Sequence, residues 1–218
     1  MNYSLRSTII TSGSSIKNAV ILCHGYGGDG KDISVVAHYW KNFLPNTLFI
    51  CPNAPEICKV NPDGFQWFDL TEQTEDEILS KSLIAEKKLN TLIDEVKNNN
   101  KIKSDQISLV GFSQGCMISL QTALKRREQI KCLIGYSGKI LNPDHLRKNI
   151  HSRPDIYLMH GDIDQVVPVS HMLEAKEFFL KQKYKINTKI FKDCEHRIPT
   201  EGLSIGLEFL KKKLKNSH

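Results

Sequence analysis

Five short apolar runs limit the fold more than any other feature of this chain. They are "NAVILCHG" (18–25), "NTLFICP" (46–52), "QISLVGF" (106–112), "KCLIGYSG" (131–138) and "DIYLMHG" (155–161). Each holds at least four apolar residues without strict alternation. A strand with one wet face alternates polar with apolar, whereas a strand covered on both faces reads as a continuous apolar run, the habit of parallel sheets. A sixth run, "NTKIFKD" (187–193), alternates and is expected at a sheet edge. Helical spacing fills the gaps. Ile78, Ala85, Leu89, Leu92 and Val96 mark one face of a helix within 74–98, and 169–182 behaves similarly. In 200–214 the stripe is Leu203, Leu207, Leu210 and Leu214, with Pro199 placed to start the first turn. Strand–helix alternation of this kind predicts an α/β class: a mostly parallel sheet with helices on both faces.

No repeat, linker or low-complexity block divides the 218 residues. One domain over 1–218 is therefore expected, long enough to bury about 70% of the surface of its unfolded chain. The 40% hydrophobic and 25% charged fractions are those of an ordinary globular protein. No stretch approaches the roughly 20 apolar residues that span a bilayer, so stable membrane insertion is not expected. The N-terminal "MNYSLRSTIITSGSS" lacks a basic region followed by an apolar core, which predicts a cytoplasmic location. The net charge of +6 comes from dispersed lysines and one dense run, "LKKKLKNSH", which reads as a solvated helix end. Without base-stacking aromatics it does not predict a nucleic-acid partner. Six cysteines stand alone with no C-x-x-C spacing, the usage of small buried hydrophobes rather than of a zinc site or disulfide framework.

"APEICKVNPDGFQWFDLTEQ" (54–73) fits neither helix nor strand. Its prolines and Asp63-Gly64 predict a loop, and its aromatic cluster predicts an ordered one bordering a pocket. Trp67 and Phe68 are read either as core or as lining of that pocket.

Open parallel sheets bind ligands at the carboxyl ends of their strands. The segments directly after four of the proposed strands are "HGYGGDG", "GFSQG", "HGDIDQVVP" and "KDCEHRIP". A glycine-rich loop, a serine between glycines, two aspartates and a histidine share one sheet edge. Acyl transfer by serine needs that set: a nucleophile, a histidine base, a carboxylate to orient it, and amide donors for the oxyanion. Gly111 and Gly115 around Ser113 suit a strained strand-to-helix elbow, and the chain order Ser, Asp, His is that of α/β hydrolases. Asp162 and Asp164 both remain candidates for the carboxylate on this reading. "HGYGGDG" has no Gly-Lys-Ser/Thr, which argues against a nucleotide loop.

The succession "HGYGGDG", "CPNAP", "QWFD", "GFSQG", "SGK", "HGDIDQVVP" and "EHRIP" resembles the motifs of the phospholipase/carboxylesterase family, which includes acyl-protein thioesterases, from about residue 18 to 210. The resemblance implies a compact α/β hydrolase that cleaves carboxylic esters or thioesters with no cofactor and no metal. It implies Ser113, Asp164 and His196 as the triad, and the backbone amides of Tyr26 and Gln114 as the oxyanion hole. The expected partner is a small or lipid-like acyl ester or thioester, with the protein a monomer or small homo-dimer. Among the other histidines, His24 and His160 end strands beside glycines, where a histidine braces loops. His38, His145, His151, His171 and His218 are expected to be solvated. The chain departs from the family where Glu195 and Arg197 flank His196; the carboxylate either favours the imidazolium or faces water. Two rival readings are a binding protein built on the same fold and a hydrolase of another bond, peptidase or dienelactone type. No triad member is missing for the first, and the dienelactone option would place cysteine at 113.

Overall fold

In the computed structural model, which describes residues 3–71 and 74–215, the apolar runs pair side by side as one seven-stranded sheet. Its strands are β1 (Ser7–Ser12), β2 (Asn18–Cys23), β3 (Thr47–Pro52), β6 (Ile107–Phe112), β7 (Cys132–Tyr136), β8 (Asp155–Gly161) and β9 (Asn187–Phe191). The order is β1-β3-β2-β6-β7-β8-β9, with only β1 antiparallel to its neighbour. A hairpin of β4 (Glu56–Ile57) and β5 (Phe65–Gln66) stands apart.

Because side chains alternate along a strand, each apolar run supplies both faces. Ala19, Ile21 and Cys23 of β2 enter one hydrophobic core, and Val20 and Leu22 the other. The first core is covered by α2 (Glu75–Asn100), α3 (Gln114–Lys125), α4 (Pro143–Lys148) and α5 (Ser170–Lys181). The second is covered by α1 (Gly30–Trp40) and α6 (Thr200–Lys215). Thr74 caps α2 by accepting from the Glu77 amide while Glu77 returns the bond, so the helix begins where the apolar spacing does.

Three differences from the sequence reading have physical reasons. β1 is not apparent in the sequence because "STIITS" is a half-exposed edge strand of hydroxyl and β-branched residues, without the apolar density of its neighbours. α1 follows a glycine-rich loop directly, and its Asp29–Asp32 capping box marks the start more clearly than its apolar spacing does. The 54–73 loop contains the β4–β5 hairpin; residues 72 and 73 of it, and His218, lie outside the described residues. All six cysteines are buried and unpaired.

Candidate active site

Strand β6 ends at Phe112, and Ser113 turns the chain into α3 with φ 53° and ψ −119°. A non-glycine residue at positive φ is strained and persists only where its surroundings fix it. Two contacts fix it here. A Cβ on Gly111 would sit 2.4 Å from the Gly115 carbonyl oxygen, and one on Gly115 would sit 2.1 Å from the Cys23 carbonyl oxygen. The flanking glycines therefore let α3 press against both β6 and β2. The Ser113 amide donates to Tyr136 O across the sheet (2.9 Å), at the carboxyl end of β6.

The structure brings the three triad candidates together. His196 Nε2 is 3.0 Å from Ser113 Oγ, and His196 Nδ1 is 2.7 Å from Asp164 Oδ2. A carboxylate only accepts, so Nδ1 carries the ring proton and Nε2 is left as the acceptor facing the serine hydroxyl. The Asp164 side chain is fully buried, and its Oδ1 accepts from the Val166 and Val167 amides (3.0 and 2.9 Å). Burial pushes its carboxyl up, yet the His196 hydrogen bond and the Val167 amide outweigh that and hold it below the usual carboxylate range. The Phe112 ring packs against the His196 ring, centroids 4.9 Å apart. Asp162, the other carboxylate candidate, is exposed and accepts from the Cys194 amide instead (3.2 Å).

The Tyr26 and Gln114 amides donate to no protein acceptor among the described residues. The loop carrying Tyr26 is braced from beneath: Gly27 N donates to Phe65 O (2.9 Å), and Asn61 Nδ2 donates to Gly27 O (2.7 Å). His24 ties it to the next loop, accepting from Ala54 N at Nε2 (2.9 Å) and donating from Nδ1 to Gly25 O (2.7 Å). A cleft of about 390 Å³ opens from Gly25, Tyr26 and His196, over a largely apolar wall that includes Ile33, Val36 and Leu203. That volume suits a small acyl group.

Trp67 and Phe68 do not line this cleft. They are 1% and 0% exposed and pack in the core beneath α2. The aromatic cluster does order its loop, but the sequence does not tell which side of the loop faces the sheet. Their backbones clamp Gln114: its side chain accepts from Trp67 N (2.8 Å) and donates to Phe68 O (2.6 Å). Glu195 is exposed, and its carboxylate makes no ion pair among the described residues. Of the remaining histidines, His38 and His151 are exposed. His145 and His171 are half-buried, beside Lys125 and Glu174.

The profile of the phospholipase/carboxylesterase family matches residues 5–214. The chain belongs to that family. It is similar to the acyl-protein thioesterase 1 of Schizosaccharomyces pombe, 30% identical over 96% of each chain. It is also similar to that of Saccharomyces cerevisiae, 29% identical over 91% of this chain and 93% of the yeast protein. Among solved structures, an esterase named PE8 superposes with a TM-score of 0.91 at 33% identity, covering 96% of this chain and 99% of the other. Membership makes the protein a hydrolase of the esterase/thioesterase class.

Proposed function

We propose that the protein hydrolyses carboxylic esters or thioesters through an acyl-enzyme, with Ser113 as nucleophile, His196 as base and Asp164 as its orienting carboxylate. The observation that carries this reading is the unbroken relay Asp164–His196–Ser113, with 2.7 and 3.0 Å contacts, on a strained elbow. Ser113 Oγ attacks the acyl carbon while its proton passes to His196 Nε2. The negative oxygen is received by the Tyr26 and Gln114 amides, each such donor being worth about 10²–10³ in rate. Collapse expels the alcohol or thiol, which takes the proton from His196. Water then attacks the ester on Ser113 by the same route reversed, releasing the acid and restoring the serine.

Asp164 keeps Nδ1 protonated and balances the transient imidazolium. No step calls for a cofactor or a metal. The substrate is a small or lipid-like acyl ester or thioester whose acyl or leaving group occupies the cleft over Ile33 and Val36. The test is a fluorophosphonate probe read by intact mass and peptide mapping, alongside hydrolysis of p-nitrophenyl esters and acyl thioesters. One adduct on Ser113, and loss of both adduct and turnover in folded Ser113→Ala, are expected. Labelling elsewhere, or turnover retained in the alanine variant, overturns the reading.

A further inference from the structure

His160 stands in strand β8 four residues before Asp164, and it is 1% exposed. Its Nε2 lies 2.7 Å from the Val167 carbonyl oxygen and 3.3 Å from Asp164 Oδ2. A carbonyl oxygen only accepts, so Nε2 bears the proton and its single N–H is given to Val167 O, with Asp164 Oδ2 close beside it. The second ring nitrogen, Nδ1, is buried and has no hydrogen-bond partner among the described residues. A proton there would place imidazolium charge where no acceptor receives it, at a cost well above that of a neutral buried amide. Burial acts the same way, holding the ring below its usual range for protonation, and only partly offset by the Val167 and Asp164 contacts.

Asp164 therefore receives three hydrogen bonds, with the His160 N–H lying beside them. Oδ1 takes the Val166 and Val167 amides and Oδ2 takes His196 Nδ1–H, while the His160 N–H, bonded to Val167 O, sits with its nitrogen 3.3 Å from Oδ2. The positive end of an N–H dipole this close to a carboxylate oxygen offsets part of its negative charge, and so weakens its pull on a neighbouring imidazolium. We propose that His160 is a positioning residue that fixes the Asp164 loop through Val167 and moderates the grip of Oδ2 on His196. The inference rests on the triad reading given above. If Oδ2 served His196 alone, the imidazolium would be held more firmly, and the proton would return less readily to the leaving group.

Other groups surround the pair and stay constant when His160 changes. Ser113 and the Phe112 ring face His196, and Ser137 follows β7 toward Asp164. Asp32 on α1, Arg197, Tyr26 and His24 line the cleft beside His196, Glu195 precedes it in the chain, and His171 on α5 acts on His160.

The test compares pH profiles of kcat/KM on p-nitrophenyl butyrate for the wild-type chain, His160→Leu and His160→Gln. The active fraction of each is counted by fluorophosphonate titration. In His160→Leu the acidic limb is expected to move up by about half a pH unit, the scale of one nearby N–H dipole's effect on a titration. His160→Gln keeps a side-chain N–H, and its limb is expected to stay nearer the wild-type position. Independently of any variant's folding, two-bond 1H–15N spectra of the labelled wild-type chain should show His160 neutral and protonated at Nε2 from pH 6 to 8. A charged ring or the Nδ1–H tautomer in that range overturns the proposal, as does an unmoved limb in folded His160→Leu or equal movement in Leu and Gln. A wild-type chain that hydrolyses neither esters nor thioesters would instead refute the function, while the tautomer measurement still tests the His160 contact itself.

Discussion

Gly115→Ala tests the claim that the serine elbow depends on close backbone approach. The added Cβ would meet Cys23 O at 2.1 Å and His24 O at 2.5 Å, whereas ordinary contact begins at 3.4 Å. Both obstacles are backbone atoms of β2 and its following residue, so no side chain can swing aside. The first turn of α3 must retreat by more than about 1 Å from the sheet, taking Ser113 and the Gln114 amide with it. Overpacking costs about 1–3 kcal/mol, and a rigid obstacle argues for the upper end, roughly 6–12 °C in Tm for a chain of this size. A 1 Å displacement of reacting groups costs on the order of 10²-fold in rate. Gly28→Ala is the control, because its new Cβ would meet nothing nearer than 3.5 Å and its φ is not positive. That variant should stay within about 2 °C of wild type. Calorimetry with kcat/KM on p-nitrophenyl butyrate decides the matter. A Gly115→Ala protein with wild-type Tm and rate would show that the close approach is not what shapes the elbow.

Asp164→Asn should lose about 10³–10⁴ in turnover, since an amide favours the wrong histidine tautomer. Asp162→Asn should cost about 1 kcal/mol of stability through its Cys194 contact and leave kcat within a few-fold; the reverse pattern would exchange the two roles. Glu195→Gly should leave the acidic limb of kcat/KM in place, because that carboxylate is exposed, and a clear shift would put it in contact with His196 in solution. Asp69, held well below the usual carboxylate range by Lys59 and Thr71, has a depressed folded-state pKa. Its stabilisation is present above the ordinary value of 3.8 and fades as pH falls below it. Thermal melts of Asp69→Asn should thus lie below wild type by a gap that is constant from pH 7 to about 5 and narrows only below 3.8, closing well below pH 3; a gap that already closes between pH 7 and 5 would refute the linkage.

The sheet is legible in the sequence because burial on both faces leaves runs such as "VILC" and "IYLM" with no polar gap. The cluster of candidate residues is legible because parallel strands deliver their loops to one edge, so Ser113, Asp164 and His196 gather there although far apart in the chain. β1 is not legible, since "STIITS" pairs along β3 as a half-exposed edge strand that puts only Ile10 against the core. The orientation of Trp67 and Phe68 is not legible either, because an irregular loop has no period to assign its faces. The link from His160 to Asp164 is set by the turn that folds Val167 back over the histidine, a long step from any spacing rule.

Gln114 ties two kinds of variation together. Its backbone belongs to the elbow, while its side-chain amide is committed to Trp67 and Phe68, at the foot of the 54–71 loop. Glutamate there would set a carboxylate against the Phe68 carbonyl, and a hydrocarbon would strand both backbone partners in the core. The loop is therefore anchored at its stem and open at its tip, where Ile57 and Val60 are 66% and 65% exposed. Exchanges near the tip touch little of the core, whereas a one-residue slip at 67–68 would be felt at Gln114 and through it at the Ser113 elbow. In a chain built this way, one short stretch can vary at its tip while its stem stays tied to the elbow.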